Sequence, residues 1–275
     1  MINYSRSPTY NVLVTDQNKK ERKIAIPGES PLTIMVDGQE IVTLMTLGTH
    51  PRELALGFMR NQGLIENIED VESVKINWET ETANIRIKPG KNLLDMSEKL
   101  SKRIVTSGCG GGTLFGHDMD ELYESKLPEI KLRQSAIYSL LKQLKKYNLI
   151  YRQVGSVHGC GLCNNSKVLI FIEDIGRHNA ADTIAGRMWI DRISGADKIL
   201  YTTGRLTSEI VIKSALMGIS ALLSRSGVTK MGLELSQDLG ITLIARAKGK
   251  KFYVYNADEN VIFDETPDVP GPPGQ

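Results

Sequence analysis

From residue 168 to residue 245 the chain alternates short β-branched, apolar runs with amphipathic stretches of helical length, joined by links of only a few residues. Strands are predicted over 168–172, 198–202, 220–223 and 241–245, and helices over 177–190, 207–217 and 230–239. Strands separated by helices return in the same direction, whereas antiparallel neighbours are joined by tight hairpins. This rhythm constrains the fold to the α/β class, with a mostly parallel sheet covered on both faces. A further strand over 251–255 follows the last unit.

The first hundred residues read differently. Two strands, 11–14 and 22–26, flank the polar turn 16–20, and 32–36 and 40–47 flank Asp37-Gly38, a pair that favours a type I′ hairpin. Pro51-Arg52-Glu53-Leu54 opens a helix with Thr49 as its N-cap. Leu54, Phe58 and Met59 recur on one face of it, and Gly63 stops it. Strands over 71–77 and 83–87 and a helix over 95–105 complete an α+β pattern. A charged, loop-like stretch over 117–129 precedes a helix marked by Ala136, Leu140, Leu141, Leu144 and Tyr147. The expected organisation is an N-terminal α+β subdomain over 1–105, a glycine-rich loop and linker over 106–130, a C-terminal α/β domain over 131–262, and a disordered tail over 263–275 whose last ten residues are rich in Pro and Gly.

A net charge of +2 gives no basic field suited to nucleic acid. No N-terminal signal pattern and no apolar run of membrane-spanning length is present. Three cysteines make no disulfide framework and fit a reducing, cytoplasmic setting.

Six stretches carry polar chemistry. Thr106-Ser107-Gly108-Cys109-Gly110-Gly111-Gly112-Thr113 sets one thiol among four glycines. Glycine loses more conformational entropy on ordering than any other residue, so the loop is poor packing material. It reads either as a presenter of Cys109 as nucleophile or sulfur carrier, or as a linker with an incidental thiol. Glu173-Asp174-Ile175-Gly176-Arg177-His178 lies where a strand ends and a helix begins, the usual place for ligands in open α/β sheets. Asp174 is an N-cap candidate, Arg177 suits a phosphate and His178 a hydrogen bond. The competing reading is an Asp174–Arg177 ion pair beside a core histidine. Thr202-Thr203-Gly204-Arg205 and Ser224-Arg225-Ser226-Gly227 repeat the pattern at two more strand ends. The basic turn Arg246-Ala247-Lys248-Gly249-Lys250-Lys251 is either a solvated charge run or a pyrophosphate cradle. Lastly, His158, Cys160 and Cys163 read as packing, a redox pair or part of a zinc site. Cys160 and Cys163 are an odd number apart, so a regular strand puts them on opposite faces, and a shared metal would need a turn at Gly161.

The stretch from Glu173 to Gly186, EDIGRHNAADTIAG, closely resembles the signature of the FdhD/NarQ formate dehydrogenase accessory proteins. The likeness continues through Thr203-Gly204-Arg205, Leu233-Glu234-Leu235 and Phe252-Tyr253-Val254-Tyr255. Upstream it takes in Pro51 to Phe58, Thr106 to Gly110 and Gly155 to His158. The resemblance implies a sulfurtransferase that accepts persulfide sulfur from a cysteine desulfurase. It passes that sulfur to the molybdenum-bis(molybdopterin guanine dinucleotide) cofactor, its bound substrate, for formate dehydrogenase. It further implies a homodimer with no tightly held metal, and a C-terminal three-layer domain like the cytidine deaminase fold. Cys109 falls on the family's persulfide position and 246–251 on its cofactor-binding stretch, with Arg177, His178, Gly204 and Arg205 alongside. One departure is that the loop's usual second cysteine is Gly112 here. Cys160 and Cys163 are then packing residues or a substitute thiol partner. The competing functions are a cofactor-binding chaperone without sulfur chemistry and a zinc enzyme using Cys160 and Cys163.

Overall fold

The computed structural model describes residues 6–90, 104–105, 113–114, 119–124 and 126–265. Strands β1 (Thr9–Thr15) and β2 (Glu21–Pro27) pair as expected around a turn in which the Asp16 carboxylate accepts from the Asn18 and Lys20 amides. Strands β3 (Ser30–Val36) and β4 (Gln39–Thr46) form the second hairpin. Asp37 and Gly38 stand at φ 46° and 85°, the left-handed pair that a type I′ turn requires. Helix α1 (Pro51–Asn61) follows, then β5 (Val71–Asn77) and β6 (Thr82–Ile87), giving a four-stranded sheet in the order β4-β3-β6-β5. Alternate residues Leu32, Ile34 and Val36, with Ala83 and Ile85, bury against Leu54, Ala55, Phe58 and Met59 of α1. The N-cap is His50 rather than Thr49, and no side chain caps it; Pro51 needs no amide partner there.

Short strands β7 (Ile104–Val105) and β8 (Thr113–Leu114) pair antiparallel, so 104–105 are strand rather than the end of a helix. The rest of that helix, 95–103, lies outside the described residues, as does 106–112 with Cys109. Helix α2 (Met119–Glu124) stands where a loop was expected, because Leu122 finds a place in the core. Strand β9 (Leu132–Arg133) leads into α3 (Gln134–Tyr147) and α4 (Leu149–Val154). The remaining order is β10 (His158–Cys163), β11 (Val168–Asp174), α5 (Arg177–Ile190), β12 (Ile199–Thr202), α6 (Ser208–Leu216), β13 (Ala221–Ser224), α7 (Lys230–Asp238), β14 (Thr242–Lys248), β15 (Lys251–Asn256) and β16 (Val261–Ile262).

The main sheet has the order β11-β10-β12-β13-β14-β15. Only β12–β13 and β13–β14 are parallel, so the sheet is mixed, not mostly parallel. β10 is antiparallel to both neighbours. It reaches β11 through a turn in which Asn164 Oδ1 accepts from the Ser166 and Lys167 amides, and a link that short can only reverse the chain. Residues alternate between two cores. Leu200, Leu222, Leu243 and Ala245 pack under α5, α6 and α7. Ile199, Tyr201, Ala221, Leu223 and Ile244 pack against Ile137, Leu140, Leu141 and Leu144 of α3. Three layers result.

Helices α1 and α5 touch backbone to backbone. A Cβ on Gly57 would lie 1.7 Å from the Asp182 carbonyl oxygen, and one on Gly186 1.9 Å from that of Glu53. Of the expected disordered tail, residues 263–265 are anchored: Asp264 accepts from the Ser135 amide and hydroxyl, and Phe263 stacks on Phe252. Residues 266–275 lie outside the described residues. Among the described residues no helix is long and apolar enough to cross a membrane.

Candidate functional site

Strand direction gathers the polar stretches on one sheet edge. β12, β13 and β14 run in parallel, and β11 shares their direction because β10 opposes both β11 and β12. Their C-terminal ends therefore stand together, with the start of β10 and its His158 among them. Over the ends of β10, β12 and β13 opens a cleft of about 490 Å³, lined in part by Tyr151, Ser156, His158, Thr203, Arg225 and Ser226.

Each wall has a local cause. The buried Glu173 carboxylate accepts from the Ile150 and Tyr151 amides, both at 2.8 Å, satisfying the exposed donors of the first turn of α4 and fixing Tyr151. Gly155, at φ 73°, ends that helix in the left-handed conformation and turns the chain into β10. Thr203 and Gly159 exchange two bonds: the Gly159 amide donates to Thr203 Oγ1 at 3.0 Å, and the Thr203 amide to the Gly159 carbonyl at 2.9 Å. Ser224 Oγ donates to the Gly204 carbonyl at 2.7 Å and accepts from the Ser226 amide at 2.9 Å. The Arg225 guanidinium lies 5.8 Å over the Tyr151 ring.

Arg205 and Arg225 are exposed at this edge, whereas Arg177 is buried and its stem crosses Gly204, where a Cβ would meet Arg177 Cδ at 2.6 Å. Asp174 does not pair with Arg177 and is not the N-cap of α5, a position held by Gly176. Its carboxylate instead accepts from Thr46 Oγ1 at 2.5 Å, the Leu47 and Gly176 amides and Asn179 Nδ2, tying the end of β4 to this loop. His178 also turns inward. Its Nδ1 lies 3.3 Å from Glu209 Oε2, in a buried cluster where Lys213 Nζ meets Asp182 Oδ2 at 2.7 Å and Glu209 Oε1 at 3.2 Å. Asn61 of α1 donates to Asp182 Oδ1 at 2.7 Å. Burial pushes His178 down to about 3, against the pull of Glu209, so the imidazole is neutral. His158 is likewise depressed, first by burial and then by Arg177.

The basic stretch is only partly a turn. β14 continues through Arg246, Ala247 and Lys248, and the reversal is confined to Gly249, at φ 64°, and Lys250 before Lys251. Arg246, at φ 52°, sits in a break of register between Ala245 and Lys248. Arg246, Lys248, Lys250 and Lys251 are exposed, while Ala247 packs into the α3 core. The Arg246 amide donates to the Ser226 carbonyl at 2.8 Å, so this strand abuts the cleft rim.

Cys160 and Cys163 do lie on opposite faces of β10, in the two separate cores. No turn occurs at Gly161, which pairs with both Phe171 and Tyr201. One metal ion cannot hold both sulfurs. Cys160 donates to Thr202 Oγ1 at 3.3 Å, and burial pushes both thiols up to about 12. Among the described residues no group of three or more His, Cys, Asp or Glu is placed to hold a metal. The role of Glu173 and the Asp182–Lys213 pair went unread in the sequence. Glu209 and Lys213 are four apart, a spacing that ordinarily marks a solvated helix face.

The FdhD/NarQ family model matches residues 27–262. "Sulfur carrier protein FdhD" of Bacillus pumilus (strain SAFR-032) is 31% identical over 234 residues, covering 85% of this chain and 88% of that protein. The protein of the same name from Staphylococcus aureus (strain MRSA252) is 32% identical over 238 residues, covering 86% and 89%. A crystal structure from Desulfotalea psychrophila, described as a formate dehydrogenase accessory protein, superposes with a TM-score of 0.73 at 26% identity, covering 92% of this chain and 98% of that one. With the match extending over both sheets and the strand-end edge, the chain belongs to the FdhD/NarQ family.

Proposed function

We propose that this chain is a sulfur carrier that loads Cys109 from a cysteine desulfurase and delivers the sulfur to the molybdenum-bis(molybdopterin guanine dinucleotide) cofactor for formate dehydrogenase. The relatives' shared name supports sulfur carriage. The observation that carries the assignment to Cys109 is the burial of the other two thiols. A thiol held up to about 12 has almost no thiolate at neutral pH, and the thiolate is the nucleophile. Cys160 and Cys163 are therefore packing residues, and with Gly112 in the loop the sulfur rides on Cys109 alone.

In the loading step the Cys109 thiolate attacks the outer sulfur of the desulfurase persulfide. One S–S bond forms, the donor's S–S bond breaks, and the donor cysteine leaves as thiolate. The guanine-dinucleotide phosphates would lie along the sheet edge on Arg205, Arg246, Lys248, Lys250 and Lys251. Gly249 and Ala247 shape that strand, and Gly204 admits the Arg177 stem. His178, neutral and inward, helps hold α5 in place behind the edge. The protein would work in the cytoplasm as a homodimer, docking in turn with the desulfurase and the catalytic subunit of formate dehydrogenase. Cells lacking the chain and complemented with Cys109→Ser should have no active formate dehydrogenase, whereas Cys160→Ala and Cys163→Ala should restore it. Full activity with Cys109→Ser would make the chain a cofactor chaperone instead.

A further inference from the structure

A second cleft opens at the opposite end of the main sheet, by the starts of β12 and β13 rather than their ends. Its volume is about 520 Å³, within the range of small-molecule sites. Arg60 at the end of α1, Lys126 beyond α2, the loop 193–196 before β12 and residues 216–218 at the end of α6 wall it. The charged groups in that lining are two cations, Arg60 and Lys126, with no carboxylate beside them. We infer that this cleft binds a phosphate monoester: the phosphoryl group lies between Arg60 and Lys126 next to the Ser194 hydroxyl, and the organic body rests on Pro128, Ile193 and Leu216.

Three features carry it. The first is a partly buried cation with no carboxylate. The Arg60 Nη1 donates to the Ala185 carbonyl at 3.3 Å, and the guanidinium stands 5.8 Å from the Trp189 ring. Among the described residues it forms no ion pair. Burial lowers its pKa from the ordinary value, and no neighbouring acid raises it back. Charges withdrawn from water are ordinarily paired, and a guanidinium has five N–H donors, of which Ala185 takes one.

The second is the match of charge and donors. A phosphate monoester carries about −1.5 to −2 charge at pH 7 and three acceptor oxygens. Arg60 and Lys126 together balance it, whereas a carboxylate would neutralise only one of them. The guanidinium fork suits two oxygens of the group at once. Ser194 Oγ accepts from the Ala196 amide at 3.2 Å, which leaves its hydroxyl proton to donate.

The third concerns the end of α6, since the carbonyls of a helix C-terminus ordinarily repel an anion. Here Gly218, at φ 73°, closes the last turn. The Met217, Gly218 and Ile219 amides donate to the Lys213, Ala215 and Ser214 carbonyls, so those acceptors are already used. Gly195 presses on this turn so closely that a Cβ would lie 2.2 Å from the Met217 carbonyl oxygen, which pins the loop carrying Ser194.

The test is calorimetric titration with phenyl phosphate and, separately, with benzoate, which offers the same ring on a carboxylate. The full chain carrying Lys248→Gln, Lys250→Gln and Lys251→Gln serves as the parent, so that the cations at the other end of the sheet do not compete. Phenyl phosphate should bind the parent at least tenfold more tightly than benzoate does. Arg60→Gln should weaken that binding about tenfold or more, and Lys126→Gln about two- to fivefold. Lys126 is exposed, so its variant keeps the proposal refutable should Arg60→Gln not fold. No binding of phenyl phosphate by the parent, or equal affinity in the parent and both variants, would overturn the site and leave Arg60 a structural cation. Benzoate binding as tightly as phenyl phosphate would overturn the phosphoryl assignment.

Discussion

Lys213 is the most consequential buried charge in this fold. It is 1% exposed, and its ammonium is held 2.7 Å from Asp182 and 3.2 Å from Glu209. Replacing it with Met keeps the length of the side chain and removes the charge. Asp182 then keeps the Asn61 amide but loses its cation, and Glu209 loses the same ammonium. Removing one partner of a buried ion pair costs about 3–5 kcal/mol, because the remaining charge keeps its desolvation penalty and loses its compensation. Lys213→Met should therefore lose about that much stability in urea unfolding at pH 7. Combining it with Asp182→Asn should cost less than the two single changes summed, since the amide no longer needs a cation. Burial alone would lower the Lys213 pKa, but Asp182 and then Glu209 together hold it above 10.5. The unfolded chain thus releases this proton first. The contribution is complete below pH 10.5 and fades as pH rises through the higher folded value, an alkaline limb that the Met variant should lack. A Lys213→Met protein within 1 kcal/mol of wild type at pH 7 would refute the reasoning.

Two further perturbations probe the frame around the site. Gly57→Ala forces a methyl to 1.7 Å from a backbone oxygen of α5, where ordinary contact begins at 3.4 Å, and neither helix can rotate it away. It should cost at least the upper part of the ~1–3 kcal/mol typical of overpacking, while Gly227→Ala, with open space around it, should stay within about 0.5 kcal/mol; equal melting temperatures would contradict the close helix packing. His178 is held down to about 3 against an ordinary 6.5, so on acidification the unfolded chain takes up its proton first. Its share of stability is present above pH 6.5 and is lost toward pH 3, at up to ~1.4 kcal/mol per pH unit. His178→Gln should flatten that limb, and an unchanged acid profile would place the histidine in solvent.

Local signals in the sequence were strong where one residue dictates the backbone. Asp37-Gly38 specifies its turn through two left-handed residues, and the apolar spacing of α5 gives that helix its observed bounds. The odd spacing of Cys160 and Cys163 is enough to separate them across β10. Direction was harder to read. β10 is short and glycine-rich, its helical predecessor α4 has no apolar stripe of its own, and only the Asn164 turn marks the reversal that makes the sheet mixed. Arg246 and Lys248 look like loop residues by charge, yet a strand with one buried alanine between them accommodates both. The polar core was least legible, because Asp182, Glu209 and Lys213 are ordinary helix-surface residues until the packing of α5 and α6 brings them together. Glu173 is another such case, since its two amide partners lie 22 and 23 residues earlier in the chain.

The central claim is that sulfur travels on Cys109. Intact-mass measurement and peptide mapping after incubation with a cysteine desulfurase and cysteine test it most directly. The account predicts a gain of one sulfur atom on the Cys109 peptide, retained in the Cys160→Ala/Cys163→Ala double variant and abolished in Cys109→Ala. Sulfur found on Cys160 or Cys163, or none on any thiol of a chain that still activates formate dehydrogenase, would contradict it.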